Sequence, residues 1–359
     1  MGKRTNTAKW IEKSRRWQIN VQKDGQRKTF TSSTPGRTGQ REANAKADAW
    51  LDEGIVSGQK ILSKIFPEYL EALKLRTGKS HWKKVEQRWK TWEEPVLGRV
   101  KPDALSDQKL QAVVDRAFAR GHLSKETLRN IRKDIIAFAK FLRKAKYGTY
   151  RPEEVMIPQG SRAGKRKILQ PDDLVTLFSI DTTTYKGENV RDEYINAYRF
   201  QVLTGLRPGE LMGIMRNDIE GGKITIRRSI NIYGEITDGK NENAERSFLL
   251  SGLAQKVLDE QLQCAGGLYV FGIRNAQHYR QRWYHYCEVN GITKVTPYEL
   301  RHTFVSAVQS LPEGWVKALV GHSQAMDTFG IYAHEVNGQQ SQIAAGVEGI
   351  FRDILSAVK

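Results

Sequence analysis

Apolar and polar residues alternate near the start of the chain, which is the pattern of a strand with one buried face. Three large apolar residues occupy every second position: Trp17, Ile19 and Val21. The Asp24-Gly25 pair is typical of a hairpin turn, and a second strand is predicted over residues 28–31. Over residues 40–53 the apolar spacing changes to that of an amphipathic helix. Residues 1–56 are therefore predicted to form a small domain with a β-ribbon and one helix.

From residue 60 to residue 147 the apolar positions recur every three or four residues, which predicts helices. The longest stripe is formed by Leu128, Ile131, Ile135, Phe138 and Leu142. Ser124 is placed to cap the start of this helix, and Gly148 is its predicted end. Three tryptophans of the region are interpreted as core aromatics rather than as stacking platforms for bases: Trp82, Trp89 and Trp92.

Glycine and proline recur over residues 148–168, which predicts a linker. Pro171 precedes two aspartates, a combination typical of a helix start. In the domain predicted over residues 169–359, a helical pattern covers residues 189–204, and helices return from residue 251. Alternation predicts two strands in between, at 224–228 and 246–250. The predicted fold class is multidomain α+β, with a small N-terminal β-ribbon plus helix, a helical domain, and a mixed, mainly helical domain with a small β-sheet.

The positive charge of the chain is confined to its first part. The formal net charge is +18. Residues 1–150 contain 34 Lys and Arg against 16 Asp and Glu, whereas residues 151–359 contain 24 of each. A one-sided positive field of this size favours a polyanion, and DNA or RNA is the usual partner. A basic surface that only aids solubility is the alternative. A membrane surface is disfavoured, because no basic amphipathic segment has a wide apolar face.

Candidate phosphate contacts are the cations clustered in the two N-terminal regions. They are Arg15, Arg16, Arg27 and Lys28 in the predicted ribbon domain, and Lys83, Lys84, Arg88, Arg132 and Lys133 in the predicted helices. A ribbon with basic residues can lie in a DNA groove. The same side chains could also form an ordinary solvated face, but their number and single sign favour phosphate contacts.

Cysteine content and the lengths of apolar runs disfavour several classes of protein. Cys264 and Cys287 lack the spacing of a metal site or of a disulfide framework, which fits a reducing cytoplasm. The first residues contain no signal-peptide stretch, and no run of ~18 apolar residues predicts a membrane span. Carboxylates do not cluster convincingly at metal-ligand spacing, so no metal and no cofactor is predicted.

A metal-free attack on a phosphodiester needs three kinds of side chain. Cations must face the non-bridging oxygens as these gain charge, and arginine suits this because its planar group bonds two oxygens at once. A tyrosine oxygen can attack as a covalent nucleophile, and an acid must protonate the leaving oxygen.

Residues of these types occur in a particular order in the C-terminal half of the chain. The first motif reads Thr204-Gly205-Leu206-Arg207-Pro208-Gly209-Glu210-Leu211. Lys240 follows, with Arg246 six residues later and an apolar strand after it. The last elements are Tyr298, Arg301 and His302, then Gly321-His322, then Tyr332 with His334 two residues beyond it. In order and spacing this series resembles the tyrosine recombinases, also called the phage integrase family.

The resemblance implies a role for each residue. Arg207 and Arg301 would clamp the scissile phosphate, and His322 would add a hydrogen bond to it. Lys240 would protonate the leaving 5′ oxygen, and Tyr332 would form a 3′-phosphotyrosyl link to DNA. Two further residues would orient their neighbours: Glu210 and His302.

The resemblance also implies domain functions and partners. Residues 1–56 would bind arm-type DNA sites, residues 57–147 would be the core-binding domain, and residues 169–359 would be catalytic with a C-terminal tail helix. The partners would be double-stranded DNA, further copies of the chain in a tetrameric synapse, and accessory DNA-bending or excision proteins. The protein would be the nucleoid-associated integrase of a phage or conjugative element. An apolar stripe over residues 343–358 would pack either on its own domain or on a neighbouring protomer.

Two positions depart from the family pattern. Tyr298 stands where the family most often has histidine, and a phenol titrates near ~10 rather than near neutrality. This argues against a general base at the position and leaves a positioning role open. Leu249 replaces a proline that is usual in the strand after the hairpin.

Each residue of the series also has a plain structural interpretation. Tyr332 could be a core aromatic, Arg207 a helix start, and Lys240 an ordinary loop lysine. Their joint order and spacing favour the catalytic interpretation. A DNA-binding regulator that no longer cuts is disfavoured by the intact set, and a type IB topoisomerase is disfavoured by the N-terminal unit and the tail. A metal-dependent nuclease or transposase would need clustered carboxylates.

Overall fold

The computed structural model describes residues 6–23, 26–52, 60–121, 123–161, 166–237, 245–321 and 338–357. The chain divides into two compact units, Met1–Gly164 and Lys165–Lys359. Among the described residues, no helix is both long and apolar enough to cross a membrane.

The first unit begins with an antiparallel three-stranded sheet and one helix. These elements are β1 (Lys9–Ile11), β2 (Arg16–Lys23), β3 (Gln26–Ser32) and α1 (Gly36–Asp52), with the strands in the order β1-β2-β3. Ile19 and Val21 are buried against the helix residues Ala43 and Ala47, so the predicted alternation and the predicted helix face are confirmed. Strand β1 was not predicted, because three residues are too short to show a period.

The rest of the first unit is helical, as predicted. Its helices are α2 (Leu62–Lys74), α3 (Lys79–Arg88), α4 (Glu94–Leu97), α5 (Asp107–Ala119) and α6 (Lys125–Lys144), with a π-helical turn over Trp89–Glu93. Ser124 Oγ accepts a hydrogen bond from Thr127 N at 3.2 Å, which confirms the predicted N-cap. Helix α6 ends before the predicted Gly148, and Lys146 takes a left-handed conformation with φ 60.

One apolar core holds these helices together. The predicted stripe of α6 is buried, with exposed fractions of 0 to 4%, and full burial of such a side chain contributes about 1.5–3 kcal/mol. Trp89 is also buried and stacks on Phe66 with ring centroids 4.2 Å apart, which confirms its interpretation as a core aromatic. Beyond α6, Val155 and Ile157 pack on the same core, within the segment predicted as a linker.

The second unit is mainly helical with small sheets. Its helices are α7 (Pro171–Ser179), α8 (Ile195–Thr204), α9 (Pro208–Met212), α10 (Gly252–Cys264), α11 (Ala276–Val289), α12 (Pro297–Ala307), α13 (Glu313–Val320) and α14 (Gln339–Ser356). Its strands are β4 (Thr182–Tyr185), β5 (Glu188–Arg191), β6 (Ile219–Glu220), β7 (Lys223–Ile226), β8 (Ser229–Ile230), β9 (Ile236–Thr237) and β10 (Arg246–Leu249). Strands β10, β7 and β6 form an antiparallel sheet in that order, and β4–β5 and β8–β9 are two-stranded hairpins.

Several predictions for this unit can be compared with the structure. The helix start at Pro171, the strands β7 and β10 and the return of helices after residue 251 are confirmed. The helix predicted over 189–204 is wrong in its first part, because residues 188–191 form β5. Lys186 and Gly187 have positive φ values and turn the chain into this hairpin, which is too short to show alternation.

Two packing features of the second unit position the site. Every residue of helix α8 except Arg199 is buried, and the helix lies against α10 and α12. Helix α14 buries Ile343, Val347 and Phe351 in the core of its own domain. Glu348 on α14 also accepts a hydrogen bond from Leu253 N at 2.7 Å, at the start of α10. In this structure the tail helix therefore packs on its own domain.

Candidate active site

Arg207 lies directly after a tight turn that ends α8. Gly205 adopts the left-handed conformation there, with φ 64. A Cβ at this position would lie 2.3 Å from Phe304 Cδ1 on α12, so the close approach requires glycine. Pro208 then occupies the first position of α9, where its fixed φ suits a helix start. The turn therefore brings Arg207 close to the helix that carries Arg301.

Glu210 is shared by two arginines. Arg207 donates from its backbone N to Oε2 at 2.9 Å and from Nη1 to Oε1 at 2.6 Å. Arg246 donates from Nη2 to Oε2 at 2.9 Å and from Nη1 to Oε1 at 3.2 Å. Burial raises the pKa of the Glu210 carboxyl, but the hydrogen bonds and charges of Arg246 and Arg207 outweigh it and lower that pKa overall. Glu210 is therefore a charged carboxylate in the folded protein.

Arg301 is buried with only 2% of its surface exposed. Its Nη1 donates to Gly205 O at 2.9 Å, and its Nη2 donates to Val320 O at 2.6 Å. Burial lowers the pKa of Arg301 to about 10, and the nearby charge of Arg207 adds to this. The guanidinium is still protonated at neutral pH. Among the described residues, Arg207, Arg246 and Arg301 bring three positive charges near the one carboxylate of Glu210, so an anion would be stabilised here.

The C-terminal end of α13 holds all three guanidinium groups. Its last carbonyls each accept one hydrogen bond: Leu319 O from Arg246 Nε at 2.9 Å, Val320 O from Arg301 Nη2 at 2.6 Å, and Gly321 O from Arg207 Nη2 at 3.3 Å. The last carbonyls of a helix have no partner within the helix and carry its negative dipole end, so they favour cations. Sequence reasoning missed this arrangement, since backbone acceptors have no signature in the residue letters.

Tyr298 and His302 lie on the same helix as Arg301. Tyr298 is 46% exposed, and its ring meets the His302 ring edge-on at a centroid distance of 5.3 Å. Burial lowers the pKa of Arg207, but Glu210 and Tyr298 more than offset this, so that pKa is raised. The Tyr298 hydroxyl is thus close enough to interact with Arg207. Burial lowers the pKa of His302, and the charge of Arg166 adds to this shift.

The structure therefore brings together part of the predicted set. Arg207 and Arg301 bind neighbouring carbonyls at the end of α13. Glu210 pairs with Arg207, and Tyr298 and His302 lie on the helix that carries Arg301. Arg246, which entered the sequence pattern only as a spacing marker, belongs to the same cluster. Three predicted residues lie outside the described residues: Lys240, His322 and Tyr332. Among the described residues, no group of three or more His, Cys, Asp or Glu side chains is arranged to hold a metal ion.

The candidate DNA contacts in the N-terminal sheet are exposed. Arg15 ends a short 3₁₀ turn with φ 45, and Arg16 begins β2. Arg27 and Lys28 lie on β3, where Lys28 Nζ is 5.5 Å from the centroid of the Phe30 ring.

The candidate contacts in the helical region differ in their surroundings. Lys84 and Lys133 are exposed. Lys83 pairs with a glutamate one turn away, and Arg132 Nη1 donates to a backbone carbonyl at 3.2 Å. Arg88 is 18% exposed, and its Nε donates to the buried carboxylate of Asp134 at 2.5 Å. The Arg88 guanidinium is therefore engaged within the fold in this structure.

The second unit is a mainly helical domain with a small sheet and a cluster of arginines, whose surplus positive charge suits an anionic group. Residues 167–338 match the phage integrase family model. The second unit of the chain is therefore a domain of this family, the tyrosine recombinases, which act in DNA recombination.

Individual relatives agree with this assignment. A XerC-like tyrosine recombinase of Caldanaerobacter subterraneus subsp. tengcongensis is 22% identical, over 98% of this chain and 100% of the relative. The integrase of transposon Tn1549, solved with circular intermediate DNA, is similar in fold with a TM-score of 0.63 and 16% identity, over 79% of this chain and 98% of that one. Lambda integrase, solved as a tetramer on a Holliday junction, gives a TM-score of 0.58 with 12% identity, over 92% and 98%. The predicted family and the multidomain α+β fold class are confirmed.

Proposed function

We propose that this protein is a site-specific DNA recombinase, the integrase of a phage or conjugative element, that cuts and rejoins DNA through a 3′-phosphotyrosyl intermediate. The observation that carries the proposal is that Arg207 and the buried Arg301 bind adjacent carbonyls at the end of α13, Gly321 O and Val320 O. Within the part of the chain that the structure describes, the hydrogen bonds of Arg301 go to backbone carbonyls, and no carboxylate there forms a direct ion pair with it. Two fixed guanidinium groups with surplus positive charge suit the two non-bridging oxygens of a phosphodiester.

The proposed reaction exchanges one phosphodiester for another. The Tyr332 hydroxyl releases its proton to water, and its oxygen attacks phosphorus while the bond from phosphorus to the 5′ oxygen breaks. Lys240 gives a proton to that leaving oxygen, and His322 donates a hydrogen bond to the phosphate. Tyr298 would donate a further hydrogen bond beside Arg207. Because the phosphotyrosyl bond keeps the energy of the broken bond, attack by a 5′ hydroxyl reseals DNA without ATP.

The domains would divide the work of binding. We propose that residues 1–56 bind arm-type sites, that residues 57–147 bind core-type sites, that residues 148–168 link the parts, and that residues 169–359 cleave. The basic first part of the chain would supply much of the affinity, which should therefore fall steeply with salt. Four copies would act together on paired DNA sites in the bacterial cytoplasm, with accessory DNA-bending or excision proteins.

The nucleophile can be tested with a nicked suicide substrate, whose short cleaved fragment diffuses away and traps the covalent adduct. Wild-type protein should give the adduct, and Tyr332→Phe should give none. Tyr185→Phe, which changes an exposed tyrosine elsewhere in the domain, should behave as wild type. An adduct of normal yield from Tyr332→Phe would mean that another residue attacks. Binding without any adduct from wild-type protein would indicate a regulator that no longer cuts.

The proton donor needs a separate test. Lys240→Ala should slow cleavage and spare DNA binding. A substrate with sulfur in place of the 5′ oxygen has a leaving group that needs no proton, so it should restore the rate of Lys240→Ala toward that of wild type. If the variant is equally slow on both substrates, Lys240 does not act as the acid.

A further inference from the structure

Gln201 is a buried neutral side chain between the two elements that carry the arginine pair. It lies on α8 with no exposed surface. Its Nε2 donates to Leu206 O at 3.0 Å and to Pro297 O at 2.9 Å. The first carbonyl directly precedes Arg207, and the second belongs to the first residue of the helix that carries Arg301. One amide group therefore ties both segments together.

Tyr279 fixes the orientation of this amide. The Tyr279 hydroxyl on α11 donates to Gln201 Oε1 at 2.9 Å, and the phenol is itself fully buried. An amide that presents its oxygen to Tyr279 must turn its NH2 group toward the two carbonyls. Both amide hydrogens and the amide oxygen are thus used, which is the condition under which a buried polar group stabilises one arrangement.

These contacts close a ring around the arginine pair. Arg301 returns from α12 to donate to Gly205 O, the carbonyl next to the one that Gln201 holds. The ring therefore runs from Leu206 O through Gln201 to Pro297 O at the start of α12. It continues along the first helical turn of α12 to Arg301, which closes it at Gly205 O. Its members would fix the distance between the guanidinium groups before any DNA is bound.

We propose that Gln201, oriented by Tyr279, is a positioning residue that sets the spacing of Arg207 and Arg301 for the scissile phosphate. It touches neither the phosphate nor the nucleophile in this role. The inference rests on the proposed function, because the spacing matters only if the two arginines hold one phosphate.

Two variants and a matched control test the proposal on the suicide substrate. Gln201→Leu leaves both carbonyls without their partner, and a shift of the arginines by about 1 Å should lower the cleavage rate constant roughly 10²-fold. Tyr279→Phe keeps the aromatic side chain and removes only its hydroxyl, so the cleavage rate constant should fall roughly three- to tenfold. Tyr286→Phe is the control, because its hydroxyl is also on α11 but donates to Ile180 O. It should change the rate less than about twofold. DNA affinity should stay within about threefold in all three.

A substrate with a neutral methylphosphonate at the scissile position distinguishes misplacement of the arginines from a general loss of folded structure. This group lacks the charge that the arginines balance, so the deficit of Gln201→Leu relative to wild type should shrink on it. An equal deficit on both substrates would overturn the proposal, as would equal rates for Tyr279→Phe and Tyr286→Phe.

Hydrogen exchange gives a readout that does not depend on cleavage. Amides of residues 206–212 and of residues 298–303 should exchange faster together in Gln201→Leu and Tyr279→Phe, and not in Tyr286→Phe. If wild-type protein forms no adduct, the proposed function fails, and this coupled exchange alone decides whether Gln201 links the two segments. Exchange that is unchanged in both segments would refute the link.

Discussion

Replacement of Arg246 by methionine tests how the arginine cluster is held. Arg246 and Glu210 have side chains that are only 9% and 7% exposed, and they share two hydrogen bonds. Among the described residues, the substitution would leave Arg207 as the cation that pairs with Glu210, and it would free Leu319 O. Breaking a buried pair on one side costs about 3–5 kcal/mol. We expect about 3 kcal/mol, because Arg207 still compensates part of the charge.

Calorimetry of the full chain measures this effect. A loss of about 3 kcal/mol should lower the melting temperature of the catalytic unit by roughly 6–12 °C. Arg352→Met is the matched control, because Arg352 pairs with Glu348 at 2.6 Å but is 67% exposed. Its melting temperature should change by less than about 2 °C, since exposed pairs contribute little.

A second substitution distinguishes charge from packing. In the Glu210→Gln, Arg246→Met double variant, the amide oxygen can still accept from Arg207 while the buried negative charge is gone. The double variant should be more stable than the sum of the two single effects predicts, by about 2 kcal/mol. Strict additivity, or a shift below about 2 °C for Arg246→Met alone, would refute the description of Arg246 as the counter-ion of Glu210.

Three further predictions concern Gly205, Glu210 and the N-terminal residues 1–56. Gly205→Ala should destabilise the catalytic unit by about 2–4 kcal/mol through its positive φ and its contact with Phe304, whereas Gly266→Ala, with open space around it, should be nearly neutral by the same calorimetry. The pKa of Glu210 is lowered from 4.5 in the folded protein. The charged carboxylate therefore stabilises the fold fully above pH 4.5, and this stabilisation is lost as the pH falls through the lower folded pKa. The difference in melting temperature between wild type and Glu210→Gln should stay constant down to about pH 5 and then shrink. Removal of residues 1–56 should weaken binding to arm-type DNA in a gel-shift assay and spare cleavage of core-type DNA, and equal loss of both would contradict the domain assignment.

The pattern of apolar and polar residues predicted those elements that are long enough to show a repeat. The stripe of α6, the cap at Ser124 and the helix start at Pro171 are set by neighbouring residues, and the structure confirms them. The hairpin of β4 and β5 was missed, because four-residue strands show no period. The end of α6 depends on Lys146 in a conformation that usually favours glycine.

The candidate site likewise has features that the sequence determines and features that only the tertiary structure determines. The sequence by itself determined which residue types occur in which order, because Arg207, Arg301 and Tyr332 belong to motifs that can be read locally. Only the tertiary structure decided what holds the arginines. Gln201 and Pro297 are 96 residues apart, and the carbonyls at the end of α13 are backbone atoms common to every residue. Such contacts arise when helices pack, so their partners cannot be inferred from spacing along the chain.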